Sequence, residues 1–127
     1  MHFYYALFHC LARSCADLLV GGSGAERSEK AWRQTYRALE HRLAERACRN
    51  GVIVRFPESI RDFANTFVAM QKKRHDADYD PHAAKLSKSE VQADIALVEQ
   101  VIADYQAVKA SDKRAFCIYV LFKVRSE

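Results

Sequence analysis

The 127-residue sequence contains only four glycines and two prolines, so it offers few positions at which the chain can turn sharply. Sandwiches and barrels of short strands need turns throughout, and this composition disfavours them. Half of the residues are hydrophobic, and a chain of this length buries enough surface to fold as one unit without disulfides or metal. We therefore expect a single helical domain over residues 1–127.

Apolar residues recur at helical spacing along most of the chain and predict an all-α fold of four to five helices. Residues 1–20 are apolar on nearly every side, which is typical of a buried helix. A second, amphipathic helix is predicted over residues 26–49, before an Asn-Gly stop signal. Pro57 begins a third helix, and the capping box Ser87–Glu90 begins a fourth.

The apolar run at residues 115–122 is compatible with either a helix or a strand. As a strand it would pair with Val52–Phe56, but an isolated two-stranded pair is only marginally stable. We therefore favour a helix, with a cap at Ser111-Asp112.

The four cysteines form neither a CxxC pair nor a cluster with metal-ligand spacing. We predict that Cys10, Cys15, Cys48 and Cys117 are reduced structural thiols, and we expect no metal and no cofactor. The longest apolar run is too short to cross a bilayer, and the chain does not open with a secretion leader. These features predict a cytoplasmic protein without a membrane partner.

The formal charge of +4 is mildly basic, and many of the basic side chains are arginines. Arginine binds phosphate through two parallel hydrogen bonds better than lysine does, so the composition permits a nucleic-acid partner. An ordinary solvated surface explains the same charge.

Arg74 is the most informative position in the sequence. The apolar stripe of the third helix is Ile60, Phe63, Phe67 and Met70, and the same spacing continues to Arg74. An arginine at this position is expected to point toward the packed seam rather than straight into solvent.

The segment 74–82 has three interpretations. Its aspartates at 76, 78 and 80 alternate like the start of a calcium loop. The sixth and twelfth positions lack the glycine and glutamate of an EF-hand, which excludes that motif. What remains is at most a nonspecific site for a divalent cation.

The second interpretation is metal-free RNA cleavage. A histidine moves the proton of a ribose hydroxyl, while an arginine stabilises the charge that grows on phosphate. In the third, Arg74 pairs with Asp78 or with a carboxylate of a neighbouring helix, and the cluster only fixes how the loop packs. Spacing alone leaves these alternatives open.

Two stretches of the chain resemble one known family. Tyr4-Tyr5-Ala6-Leu7-Phe8-His9 resembles the tyrosine-rich helix of HEPN domains, and Arg74–Pro81 resembles the arginine-histidine region of that family. The resemblance implies an up-and-down antiparallel bundle, and it favours a helix over residues 112–125. It also implies a homodimer with the functional cleft between subunits, and a family-typical first helix upstream of Met1.

Two functions follow from the resemblance. Active HEPN toxins are metal-independent endoribonucleases, which implies Arg74, His75 and His82 as catalytic residues. Arg74, Asp78 and Tyr79 are the implied RNA- or nucleotide-binding residues. The alternative is a non-catalytic module that dimerises or docks a nucleotidyltransferase partner, as in toxin–antitoxin pairs.

Three further side chains on the first segment need a separate expectation. His9 is expected to be a buried core histidine with a hydrogen-bond partner. Tyr4 and Tyr5 are expected to be aromatics of the core or of a dimer seam.

Overall fold

A computed structural model describes residues 3–79 and 87–123, and within these residues all regular structure is helical. The predicted all-α class is confirmed, although the described helices outnumber the four to five expected. The elements are α1 (Phe3–Leu19), α2 (Glu29–Ala38), α3 (His41–Arg49), a 3-10 turn (Gly51–Arg55), α4 (Glu58–Tyr79), α5 (Lys88–Gln106) and α6 (Ala110–Leu121).

The first helix, α1, lies at the centre of the bundle and contacts α2, α4, α5 and α6. Its apolar sequence explains this position, because a helix with several apolar faces is stable only where neighbours cover them. Burial of each large side chain contributes about 1.5–3 kcal/mol to stability. The buried residues of α1 are Tyr4, Leu7, Leu11, Ala12, Cys15 and Ala16.

The helix predicted over residues 26–49 is wrong in one respect, because it is divided into α2 and α3. Leu39 and Glu40 have extended backbone conformations between the two helices. The break places the Leu39 side chain in the core with 5% of its surface exposed. Burial of Leu39 therefore outweighs local helix propensity, and neither glycine nor proline marks the break in the sequence.

The two segments that were candidate strands are both helical. Residues 51–55 form the 3-10 turn, and Asn50 caps it by accepting a hydrogen bond from the Val52 backbone N–H at 2.9 Å. Residues 110–121 form α6, which buries Phe116 and Cys117 in the core. The helix predicted at residues 115–122 is confirmed.

The start of α6 corrects the expected cap. The helix begins one residue before Ser111, at Ala110, and the preceding Lys109 makes no side-chain capping bond. Ser111 and Asp112 therefore lie inside the first turn rather than ahead of it.

The long helices α4 and α5 pack against each other. The predicted stripe of α4 is buried as expected, and Ser87 caps α5 by accepting a bond from the Glu90 backbone N–H at 3.2 Å. Apolar spacing along α5 predicts a buried stripe of Val91, Ile95, Val98, Ile102 and Tyr105. The start of this stripe is shifted, since Asp94 is buried whereas Val91 and Ile95 are only half-buried. The cause is an ion pair, because both Asp94 oxygens accept hydrogen bonds from Lys73 Nζ on α4, at 2.7 and 2.9 Å.

All four cysteines are free thiols in the structure. No helix of the described residues is both long and apolar enough to cross a bilayer.

Candidate functional site

Arg74 lies on α4 against the first turn of α1. Its guanidinium carbon stands 5.5 Å from the ring centroid of Tyr4 and 5.0 Å from that of Tyr5. Cation–π contacts of this kind hold an arginine in place while its N–H groups remain available to a ligand. The side chain is 29% exposed, so it lies in the seam and still reaches solvent.

The charge of Arg74 is only weakly neutralised by the residues that the structure describes. Its Nε lies 3.9 Å from Asp78 Oδ2, one turn later on the same helix, and Asp78 is about half exposed. The neighbouring Lys73 differs, because both oxygens of Asp94 accept bonds from it at 2.7 and 2.9 Å. Exposed pairs within a helix contribute only about 0.3–0.5 kcal/mol, so a phosphate can displace the Asp78 carboxylate at little cost.

His41, the first residue of α3, completes this cluster. Its Nδ1 is hydrogen-bonded to the Tyr4 hydroxyl at 2.6 Å. Its ring stacks on Phe8, with the two centroids 4.0 Å apart and the planes 13° from parallel. The imidazole also contacts the Tyr5 ring edge-on, at 6.4 Å. Arg74 and His41 therefore share the same two tyrosines.

The sequence did not identify His41 as a functional residue. It falls within the segment predicted as one continuous helix, where it had no motif and no special position. Because of the break at Leu39 and Glu40, His41 is the first residue of α3, and its side chain contacts α1. The only signal in the sequence was indirect, since a tyrosine as buried as Tyr4 needs a hydrogen-bond partner for its hydroxyl.

The electrostatics of the cluster keep His41 neutral. Burial lowers the pKa of His41, and electrostatic interactions with Arg74 and then with His9 lower it further. Burial raises the pKa of Tyr4 well above its ordinary value, and Arg74 only partly opposes that rise. At neutral pH the pair is therefore an uncharged imidazole bonded to an intact phenol, beside a fixed cation.

His9 is not the buried core histidine that was expected. It lies on the exposed side of α1, and its Nδ1 is hydrogen-bonded to the Tyr36 hydroxyl of α2 at 2.7 Å. The ring also stacks against Tyr5 and Tyr36. Tyr4 is a core residue as expected, and Tyr5 is half-buried. His9 thus extends the aromatic cluster from Arg74 toward α2.

The other predicted site residues divide into two groups. Asp78 lies next to Arg74, whereas the rings of His75 and Tyr79 contact each other at 4.5 Å. Over residues 3–79 and 87–123, no hydrogen bond or ion pair joins His75 to Arg74. His82 and the last residues of the predicted calcium-like loop lie outside the described residues.

A cleft of about 510 Å³ lies on the far side of His9. Arg13 and Lys113 contribute positive charge to its walls, and the single carboxylate there, Asp17, already accepts a bond from the indole N–H of Trp32 at 2.9 Å. His9 lines this cleft and also stacks on Tyr5, whose ring contacts Arg74, so it lies between the cleft and the Arg74 cluster.

Searches for a matching family model, a similar curated protein and a similar solved structure found none. No metal-ligating group of three or more His, Cys, Asp or Glu side chains occurs in the described part of the chain.

Proposed function

We propose that this chain is a HEPN-like helical protein that cleaves RNA at the Arg74 cluster without a metal, as a homodimer of the toxin–antitoxin or defence type. The proposal joins the sequence resemblance to a site that can hold a phosphate and move a proton. Arg74 binds the phosphate, and a histidine at the same end of the bundle transfers the proton.

The observation that carries this proposal is the state of Arg74. The guanidinium is fixed over two tyrosine rings and reaches solvent, and among residues 3–79 and 87–123 its only ion pair is the long one with Asp78. An arginine that served only the fold would be expected to have the close, two-oxygen pairing that Lys73 has with Asp94. A fixed and under-neutralised guanidinium is what phosphate recognition requires.

RNA suits the site better than a free phosphate does, because the features around Arg74 extend over several nucleotides. The exposed rings of Tyr79 and His75 offer stacking surfaces on one side. On the other side, Arg13 and Lys113 line the cleft beside His9 and would attract further phosphates.

The proposed chemistry needs only the ribose itself as nucleophile. The 2′-oxygen forms a bond to the adjacent phosphorus, and the bond from phosphorus to the 5′-oxygen breaks. The products are a 2′,3′-cyclic phosphate and a 5′-hydroxyl. Arg74 stabilises the negative charge that develops on the phosphoryl oxygens during this step.

The test is cleavage of total RNA by the purified protein in excess EDTA. We expect cleavage by the wild type and a loss of about 100-fold or more in Arg74→Ala, because a single donor to developing charge contributes this much. Arg55→Ala is the matched control, since Arg55 is an exposed arginine at the end of the 3-10 turn, outside the cluster. Circular dichroism of each variant checks that the fold is retained.

Absence of cleavage by the folded wild type would refute the nuclease. Equal cleavage by Arg74→Ala and Arg55→Ala would refute the site.

The second candidate is the docking module, in which the chain binds a nucleotidyltransferase partner without cleaving RNA. The observation in its favour is that Arg74 does have a carboxylate within ion-pair distance, at 3.9 Å. Exposed apolar side chains on α5 and α6, Leu97 and Ile118, would then contribute to a contact surface. Wild-type protein that never cleaves RNA, yet co-purifies with a nucleotidyltransferase encoded beside it, would favour this alternative.

A further inference from the structure

We propose that His41, and not a histidine of the segment 74–82, takes the proton from the 2′-hydroxyl, and that Tyr4 positions its ring for this step. The inference rests on the proposed function and assigns the proton-transfer role within that same site. It comes from the juxtaposition of His41, Tyr4 and Arg74, which the sequence does not reveal.

The first argument is how firmly His41 is held. A proton-transferring histidine acts best when one ring nitrogen is fixed by a hydrogen bond and the other is left for the substrate. The 2.6 Å bond between Nδ1 and the Tyr4 hydroxyl fixes one side of the ring, and the Phe8 ring covers its face. The step requires the tautomer in which Nδ1–H donates to the Tyr4 oxygen, because Nε2 on the opposite side of the ring then carries the lone pair.

The second argument is the position of Arg74 relative to His41. Both contact the rings of Tyr4 and Tyr5, and the charge of Arg74 acts on His41, so we expect a phosphate bound to the guanidinium to lie near the imidazole. His75 is exposed and packs on Tyr79. Nothing in its described contacts fixes its ring toward Arg74.

The third argument is charge. The groups that act on His41 and Tyr4 from the packed elements are Tyr4, Tyr5 and His9 on α1, Glu45 and Cys48 on α3, and Arg74 on α4. Burial is the largest cause of the lowered pKa of His41, and the charge of Arg74 is the second largest. The imidazole is therefore already deprotonated at neutral pH. A bound phosphate offsets the charge of Arg74 and allows the pKa of His41 to rise as the proton arrives.

The step balances without any co-reactant other than water. Nε2 of His41 accepts the 2′-hydroxyl proton as the 2′-oxygen bonds to phosphorus. The departing 5′-oxygen takes a proton from water, and the resulting hydroxide receives the proton held by His41. The imidazole is neutral again at the end of the turnover.

The closing experiment compares cleavage rates in EDTA for His41→Gln, Tyr4→Phe and His75→Gln, with Arg74→Ala and Arg55→Ala as references. We expect His41→Gln to lower the rate by about 100- to 10,000-fold, because this is the usual contribution of a general base. Tyr4→Phe should lower it by a smaller factor and should shift the acid limb of the pH–rate profile, since the ring loses its fixing bond but keeps the base. His75→Gln should lower the rate less than His41→Gln does.

A second readout does not depend on turnover. The pKa of His41 is followed by NMR titration, with its resonance assigned from its absence in His41→Gln. We expect a value below that of an ordinary histidine, a rise in Arg74→Ala, and a rise in wild type on adding a 2′-deoxy oligonucleotide that cannot be cleaved. A merely structural histidine would not respond to the oligonucleotide.

The failures are distinguishable. Cleavage that survives His41→Gln but is lost in Arg74→Ala would overturn the assignment of His41 and leave the nuclease standing. Loss in His75→Gln with full activity in His41→Gln would return the role to His75. No cleavage by wild type would refute the proposed function and this assignment together.

Discussion

Tyr4 and Tyr105 are alike in their local structure and differ in what lies beyond them. Each is a fully buried tyrosine, 1% exposed, whose hydroxyl makes a 2.6 Å hydrogen bond. Tyr4 is bonded to His41 Nδ1, and Tyr105 is bonded to Ser14 Oγ. Burial is the largest cause that raises the pKa of both phenols.

Beyond Tyr105 the network runs inward to two buried thiols. Its hydroxyl and Ser14 Oγ both approach the Cys117 thiol, at 3.8 and 3.6 Å. Cys15 is hydrogen-bonded to that thiol and, as the largest cause, lowers the pKa of Cys117 to about 7. Cys15 and Cys117 are fully buried. Ser14 is half-buried and lines the cleft beside His9, but its hydroxyl carries no charge, so no group of this network both changes charge and reaches solvent.

Beyond Tyr4 the network opens. His41 is only half-buried, and the next group is a guanidinium that reaches solvent. The two regions teach that a short buried hydrogen bond does not by itself indicate a functional site. What matters is whether the network ends on a group that can change charge and meet a partner.

The largest expected effect applies to both regions, because both rings fill the core. Tyr4→Ala and Tyr105→Ala should each lower the free energy of unfolding by about 3–5 kcal/mol, through lost burial and the cavity left behind. Tyr79→Ala is the control, since Tyr79 is 79% exposed, and its effect should stay within about 0.5 kcal/mol. Urea unfolding measures all three, and a core variant no less stable than Tyr79→Ala would show that the ring does not pack as described.

The next effect separates the two hydroxyls. Tyr105→Phe should cost about 1–2 kcal/mol, because it removes one polar partner of the fully buried Cys117 thiol as well as the bond to Ser14. Tyr4→Phe should cost less, about 0.5–1 kcal/mol, because the half-buried His41 can bond to water instead. Chemical unfolding of the two variants tests this comparison. A larger loss of unfolding free energy in Tyr4→Phe would mean that the Tyr4 network is the less accessible to water.

The apolar core could be predicted from the sequence far better than the polar contacts around Arg74. Apolar spacing alone indicated that α1 is buried and that Ile60, Phe63, Phe67 and Met70 pack inside. Apolar burial depends on which face of a helix a residue occupies, and a 3.6-residue period supplies that information. The same spacing also identified Arg74 as a residue of the seam.

The parts that the sequence did not reveal depend on tertiary contacts between polar groups. The break between α2 and α3 follows from the burial of Leu39, which no local residue signals. His41 gains its role only from that break, and Asp94 is buried only because Lys73 reaches it from another helix. His9 was expected inside because its neighbours are apolar, yet it bonds to Tyr36 at the surface. A single sequence does not show which distant polar groups meet.

A smaller effect is the dependence of stability on pH. The pKa of His41 is lowered in the folded state, so the unfolded chain, with a pKa near 6.5, binds the proton first as the pH falls. The contribution of His41 to stability is therefore fully present above about pH 6.5 and is lost as the pH falls toward the folded-state pKa. Between pH 7.5 and pH 5, the free energy of unfolding of the wild type should fall relative to that of His41→Gln. Urea unfolding of both proteins at the two pH values measures this change. A difference that does not change with pH would indicate that burial and Arg74 do not act on this ring.

The smallest expected effect concerns Asp78, and it tests directly whether the open region is available to a ligand. Asp78→Asn removes a 3.9 Å ion pair between partly exposed side chains, so it should change the free energy of unfolding by no more than about 0.5 kcal/mol. The same change removes the carboxylate that pairs with Arg74 in the described part of the chain, and binding of the 2′-deoxy oligonucleotide should become tighter. Asp76→Asn is the matched control, because it removes the 3.3 Å pair with Lys72 on the same helix and should alter stability equally little without altering binding. A cost well above about 1 kcal/mol for Asp78→Asn would mean that Asp78 holds Arg74 for the fold. In that case the region around Tyr4 would be as closed as the one around Tyr105.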